Sequence, residues 1–251
     1  MKCKLCGEEI NSKPDSRLIL NKYSANYYSC PKCGLYFIDS PTWLDEAYND
    51  VITFKDTGIM MRNKINEIKV SNIIDQKGVM LDYGGGFGIF ARMMRDKGYD
   101  FRWFDKFAEP LIIKGFEYRD EKIDWITCFE CLEHLDDVSG DIDKVFKISH
   151  NVIFSTELYD ESSIHTDNSW NYLCLETGQH IAFYSEETMK YLARKYNTNY
   201  YNICGLHVFS ENKMSIYERA IKKIKIKLLL KLNKFSYKYC EIDNKNLAKI
   251  R

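Results

Sequence analysis

Four short apolar runs punctuate the middle of the chain, at residues 79–83, 101–105, 123–128 and 151–156. Between them, apolar residues recur every three or four positions, as from Ile89 to Lys97 and again through Ile142, Val145, Phe146 and Ile148. Short apolar runs fit buried strands, and the wider spacing fits helices with one packed face. Strands alternating with helices predict an α/β fold with a mostly parallel sheet flanked by helices. Helical spacing from Trp43 to Tyr48 and from Thr53 to Ile74 predicts helices ahead of the first run. Residues 114–117 predict a brief extra strand, Met189 to Tyr196 a further helix, and residues 199–203 and 206–209 two closing strands.

The first forty residues follow another pattern. Cys3-x-x-Cys6-Gly7 and Cys30-Pro-Lys-Cys33-Gly34 are two matching turns, each with two thiols and a glycine able to take a left-handed conformation. Two such turns facing each other supply four soft ligands, the donor set of a closed structural zinc site. The metal ligands are therefore Cys3, Cys6, Cys30 and Cys33, in a zinc ribbon spanning residues 1–40. A module of this size buries little apolar surface, so the metal is expected to supply its stability. Asp39-Ser-Pro-Thr42 marks the boundary to a main domain over 41–215.

The main domain opens on Val79-Met-Leu-Asp-Tyr-Gly-Gly-Gly-Phe-Gly, an apolar run that ends in a glycine turn and a helix start. Glycine lets a ligand approach the main chain closely, and a helix N-terminus offers free N–H groups. Gly86-x-Gly88-x-x-Ala91 taken alone fits a dinucleotide turn weakly. Asp82-x-Gly84-x-Gly86-x-Gly88 adds an acid that can accept from an ammonium group. Asp105 closes the second strand, where a carboxylate can meet ribose hydroxyls or cap a helix. Asp82, Asp105, Phe129, Glu130 and Glu157 all fall at the carboxyl ends of predicted strands, the edge at which such sheets bind ligands.

The glycine turn with its acid, and the run Phe129-Glu130-Cys131-Leu132-Glu133-His134-Leu135, resemble two motifs of class I S-adenosylmethionine-dependent methyltransferases, which have a Rossmann-like fold. The resemblance implies S-adenosylmethionine as cofactor, held by Asp82, Gly84, Gly86, Gly88, Asp105, Phe129 and Glu130, with Glu-His-Leu starting the next helix. It leaves His134 either beside the cofactor or packing at a helix start. The segments Phe154 to Glu157, Gly178 to Ile181 and Phe183 to Ser185 resemble a narrower group associated with bacterial surface polysaccharides, several of which carry an N-terminal zinc ribbon. That implies methylation of a sugar hydroxyl in a sugar, nucleotide sugar or glycan.

The long stretch after the fifth predicted strand holds Trp170, Tyr172, Gln179, His180 and Tyr184, a mixture suited to a polar ring. Trp170, Tyr172, Gln179 and Tyr184 are the candidate substrate residues. His180 is the candidate general base, with Glu157 and His134 as further catalytic candidates. C-methylation of a keto-sugar nucleotide, methylation of ribosomal RNA, and a catalytically silent binding module are the competing functions. The intact acids and glycines weigh against the last.

Composition narrows the field. Hydrophobic residues make up 45% and charged residues 29%, so a packed core is expected. Lys+Arg and Asp+Glu both number 36, which disfavours a nucleic-acid partner. No apolar run approaches the ~20 residues of a membrane span. The start of the chain lacks a signal core, and its nine cysteines suit metal or free thiols, so the cytoplasm is the expected compartment. Residues 216–251 form a last segment. In it Tyr217, Ile221, Ile224, Leu228, Leu232 and Phe235, with lysines between, predict a basic amphipathic helix over 216–235 suited to an anionic membrane surface.

Overall fold

A computed structural model describes residues 1–48, 56–160, 164, 170–233, 235 and 242–243. Residues 53–55 of the expected helix, His165 and most of the tail after 233 lie outside the described residues. The chain folds as two compact units. One comprises Met1–Asn49, Cys128–Tyr201 and His207–Asn212, the other Asp50–Thr127, Asn202–Leu206 and Lys213–Arg251.

The larger sheet contains β4 (Val79–Tyr83), β5 (Asp100–Phe104), β6 (Trp125–Phe129), β7 (Val152–Ser155), β9 (Asn199–Ile203) and β10 (Leu206–Ser210). Their order is β5-β4-β6-β7-β10-β9. β4 pairs parallel with β5 and β6, and β10 pairs antiparallel with β7. This is the mostly parallel, helix-flanked sheet of a Rossmann-like fold, as the alternation predicted. β7 is buried along its whole length and β4 at its three central residues, because the central strands are covered on both faces.

In the second unit, α2 (Ile59–Val70) precedes β4, and α3 (Ile89–Asp96) follows the glycine turn. The strand expected at 114–117 is reduced to a single parallel bridge between Trp103 and Glu117. Gly115, at φ +90°, bends the backbone there, and the Glu117 carboxylate accepts from its N–H, so the ladder cannot extend.

In the first unit, Glu-His-Leu does not start an α-helix. Leu132–His134 makes one 3-10 turn, Leu135 is extended, and α4 (Val138–Ile148) begins after Asp137, whose carboxylate caps it by accepting from the Gly140 N–H at 3.1 Å. The better cap wins the helix start.

The N-terminal strands are β1 (Asp15–Ile19), β2 (Tyr23–Ser29) and β3 (Tyr36–Ile38). β8 (Ala182–Phe183) pairs antiparallel with β3 and extends the small sheet to four strands, in the order β1-β2-β3-β8. Ile19, Tyr27, Tyr36 and Ile38 pack with Trp43, Ile164, Leu173, Ile181 and Phe183 in one buried cluster. The expectation that the ribbon lacks a hydrophobic core of its own is met differently than foreseen: it shares one with residues 159–183.

Candidate functional site

The glycine turn of the second unit is built from β4 outward. Gly84 donates to the Phe104 carbonyl at 2.8 Å, and Gly86 donates to Asp105 Oδ2 at 2.8 Å. Gly88 sits at φ +86°, and a Cβ there would collide with Ile113. A Cβ on Gly85 would lie 2.6 Å from Asp82 Oδ2, so this glycine keeps space open beside the acid. Sequence reasoning passed over Gly85, although three consecutive glycines are its signal.

Asp82 is 2% exposed. Its Oδ1 accepts from the Thr127 hydroxyl at 3.0 Å, while Oδ2 is buried without a hydrogen-bond partner. Burial pushes its pKa up to about 7, with a smaller push from Asp105. The Thr127 hydroxyl and the Ala91 N–H pull the other way. An orphaned carboxylate oxygen in a turn kept clear by glycine is a receptor for a cationic group.

Asp105 is occupied on both oxygens. Oδ1 accepts from the Phe107 N–H at 2.8 Å and the Ala108 N–H at 2.9 Å, and Oδ2 from Gly86. A carboxylate offers about four acceptor positions, so these three bonds leave one, on Oδ2, for a ligand hydroxyl. Asp105 thus fixes the turn as well as presenting a lone pair.

In the first unit, Phe129 ends β6, and Glu130 takes a left-handed φ of 50°. The Glu130 N–H donates to Ser155 Oγ at 3.0 Å, and the Ser155 hydroxyl donates back to Glu130 Oε1 at 2.6 Å. This reciprocal pair holds a non-glycine residue in an unusual conformation, a feature that collects at functional sites.

Farther along the unit, five rings form a continuous row. Centroid separations are 6.0 Å for Tyr48–His134, 4.9 Å for His134–His180, 4.6 Å for Tyr172–His180 and 5.5 Å for Trp170–Tyr172. Carboxylates border the row. Glu157 accepts from Trp170 Nε1 at 2.7 Å, and Glu133 from the Tyr172 hydroxyl at 2.6 Å. His180 Nδ1 lies 2.7 Å from the Tyr172 carbonyl. A carbonyl only accepts, so Nδ1 carries the proton and Nε2 the lone pair. Burial first, then the neighbouring His134, pushes the His180 pKa down to about 4, so the ring is neutral near pH 7. Gln179 donates through Nε2 to the Ala47 carbonyl at 2.7 Å.

Tyr184 does not belong with these residues. It is 0% exposed, and its hydroxyl donates to the Leu132 carbonyl at 2.8 Å, which makes it a core residue with its polar atom spent. Tyr48 and Glu133, which sequence reasoning did not select, join the row instead. Neither carries a local signal, because both arrive there through contacts with residues more than 35 positions away.

The four N-terminal cysteines converge as expected. Cys3 and Cys33 sulfurs are 3.6 Å apart and Cys6 and Cys30 sulfurs 3.5 Å apart. A tetrahedron with metal–sulfur bonds of about 2.3 Å has edges of about 3.8 Å. Gly7 and Gly34, at φ +71° and +70°, close the two turns.

A family model described as a methyltransferase domain matches residues 61–202, more than half of the chain. No curated protein matches it. Among solved structures, PigF with S-adenosylhomocysteine is 16% identical, with 68% of this chain and 62% of that chain covered at a TM-score of 0.49. The Burkholderia thailandensis 1,6-didemethyltoxoflavin-N1-methyltransferase, with 1,6-didemethyltoxoflavin and S-adenosylhomocysteine bound, is 14% identical, covering 78% of this chain and 96% of that chain at a TM-score of 0.46. CalO1, a methyltransferase of calicheamicin biosynthesis, is 12% identical, covering 61% of this chain at a TM-score of 0.43. The match spans 55% of the CalO1 chain.

Proposed function

We propose that this chain, a member of the family described as a methyltransferase domain, is an S-adenosylmethionine-dependent methyltransferase whose acceptor is a sugar hydroxyl, in a nucleotide sugar or in a bacterial surface polysaccharide under assembly. The observation that supports the sugar is the row Tyr48, His134, His180, Tyr172 and Trp170 with Glu157 and Glu133 beside it. Aromatic faces pack against the C–H faces of a pyranose, and the exposed Glu157 carboxylate accepts from its hydroxyls. Trp170, Tyr172 and Gln179 are the substrate residues on this reading.

When bound, S-adenosylmethionine supplies an electrophilic methyl group. Asp82 would take its ammonium group on the orphaned Oδ2, the glycine turn would bring main-chain N–H groups close, and Asp105 would accept from the ribose on its remaining lone pair. Phe129 and Glu130 are cofactor residues on the strength of the sequence resemblance alone. The acceptor hydroxyl must lose a proton, and the His180 Nε2 and the Glu157 carboxylate are the two candidate acceptors at the row, with His134 positioning the His180 ring. Alignment of the reactants supplies much of the acceleration.

We further propose that Cys3, Cys6, Cys30 and Cys33 hold a structural zinc ion in a cytoplasmic protein. The helix α6 (Ile216–Leu232) would rest on anionic lipid. Tyr217, Ile221, Ile224, Leu228 and Leu232, each more than half exposed, fall in one stripe at helical spacing, opposite the buried Ile226. Lys225, Lys227 and Lys231 flank the stripe. No helix among the described residues is long and apolar enough to cross a membrane. Vesicles rich in phosphatidylglycerol are expected to sediment the protein at low salt, and neutral vesicles are not. Ile224→Glu combined with Leu228→Glu should abolish sedimentation. Equal recovery with both lipids would remove the membrane from the proposal.

The cofactor and acceptor are tested in sequence. Calorimetric titration of S-adenosylhomocysteine should give micromolar binding that Asp105→Ala weakens by about 1–3 kcal/mol, the worth of a charged hydrogen bond. Methyl transfer from labelled S-adenosylmethionine is then measured on nucleotide sugars and isolated surface glycans. Cofactor binding with no sugar labelled, but with labelling of an RNA or small aromatic acceptor, would overturn the sugar assignment.

A further inference from the structure

Glu133 has no role in the transfer described above, yet it is wholly buried, at 0% exposure. Its Oε1 accepts from the Tyr172 hydroxyl at 2.6 Å, and its Oε2 is buried with no hydrogen-bond partner. A buried carboxylate with an unsatisfied oxygen is costly unless a cation compensates it. Two imidazoles stand beside it. One ligand atom each of Glu133, His134 and His180 lies within 4.8 Å of the other two.

Both rings are oriented from behind. His134 Nδ1 lies 3.0 Å from the Gln179 carbonyl and 2.8 Å from the Tyr48 hydroxyl, and His180 Nδ1 lies 2.7 Å from the Tyr172 carbonyl. A ring that gives its Nδ1–H to a main-chain carbonyl presents a fixed Nε2 lone pair, the arrangement found behind metal-bound histidines. The Tyr172 hydroxyl does the same for the carboxylate. Two imidazoles and one carboxylate leave several coordination positions open, and their nitrogen content favours a first-row transition ion over Mg²⁺ or Ca²⁺.

We propose that Glu133, His134 and His180 hold one divalent first-row transition cation, whose open positions receive oxygens of the acceptor. The proposal rests on the acceptor reading above and sharpens it. His180 becomes a ligand, and the acceptor hydroxyl, made more acidic by the cation that binds its oxygen, passes its proton to the exposed Glu157 carboxylate.

Mn²⁺ is the probe, because soft thiolates hold it poorly and the zinc-loaded cysteine cluster does not compete. It is titrated into the full-length, zinc-loaded protein and followed by electron paramagnetic resonance. One ion per chain is expected, with nitrogen couplings from two imidazoles. Glu133→Gln and His180→Ala should each weaken it roughly tenfold or more, with unchanged circular dichroism. Absence of binding, binding without nitrogen coupling, or unchanged affinity in folded variants overturns the proposal. Should the variants fail to fold, the nitrogen couplings of the wild type decide alone. Mn²⁺ bound as expected with no sugar methylated would keep the cation site and sink only the sugar.

Discussion

Cys33→Ser is expected to lose zinc and to destabilise the protein by roughly 5 kcal/mol or more, read as a fall in Tm of about 10–20 °C. Cys33 is 0% exposed, and its sulfur lies 3.6 Å from that of Cys3. A hydroxyl at this position is a poor zinc ligand, and the three remaining thiols do not close a tetrahedron. The damage spreads because the turn after Cys33 leads directly into β3. Gly34 donates to the Cys30 carbonyl, and the Gly34 carbonyl accepts from both the Tyr159 and Ser185 hydroxyls. Loosening that turn releases the β3–β8 pairing and the cluster that holds Tyr36, Ile38 and Phe183. Cys204→Ser, outside the cluster, is the control and should melt within about 2 °C of wild type, as ordinary surface substitutions do. Zinc is counted by elemental analysis and stability by scanning calorimetry. A Cys33→Ser protein that melts with the wild type, or a wild type that purifies without zinc, would refute the structural role.

Asp82→Asn should separate stability from cofactor affinity. The folded-state pKa of Asp82 is raised from 3.8 to about 7, chiefly by burial. The sign follows by linkage. Between about pH 4 and pH 7 the unfolded chain has released this proton and the folded chain keeps it, so Asp82 lowers stability progressively as pH rises through that window. Above about pH 7 the penalty is constant, on the order of 4 kcal/mol at most. Asparagine does not titrate. The stability of Asp82→Asn relative to wild type should therefore increase by roughly 2–3 kcal/mol between pH 5 and pH 8, whatever offset the new amide adds at both. Denaturant melts without ligand at the two pH values measure this. Affinity for S-adenosylhomocysteine should move the other way, falling by roughly tenfold to a hundredfold at pH 8 because the ammonium group loses its charged acceptor. Wild-type affinity should also weaken as pH falls below about 7, and the variant should show no such slope. A flat stability difference would mean that Asp82 is ionised and satisfied by protein groups. An unchanged affinity would remove it from the cofactor site.

The fold class and the cofactor turn were legible because their signals are local. β4 matches the apolar run 79–83 residue for residue, and α3 starts directly after the last glycine of the turn. The cysteine pairs carry their own spacing and their own glycines. The smaller errors were also local competitions. Gly115 broke an expected strand, and Asp137 capped a helix later than the Glu-His-Leu pattern implied.

The acceptor side was legible only in part. His134, His180, Tyr172, Trp170 and Glu157 were selected for their chemistry, and the structure brings the four rings into one row with Glu157 at its border. Glu133 was not selected, and its burial and its bond from Tyr172, 39 positions on, arise only in the fold. Tyr184 was selected for an aromatic character that in fact serves the core.

The sequence by itself determined what short stretches of backbone and donor type dictate: the period of each element, the glycine turn beneath Asp82, and the four-thiol donor set. Tertiary structure alone decided which polar groups are spent and which are left over. The pairing of β3 with β8, the bond from Gly86 to Asp105, the burial of Tyr184 and the unsatisfied oxygens of Asp82 and Glu133 all depend on residues distant in the chain. Hydrogen-bond satisfaction is a property of the packed neighbourhood, and no local pattern encodes it.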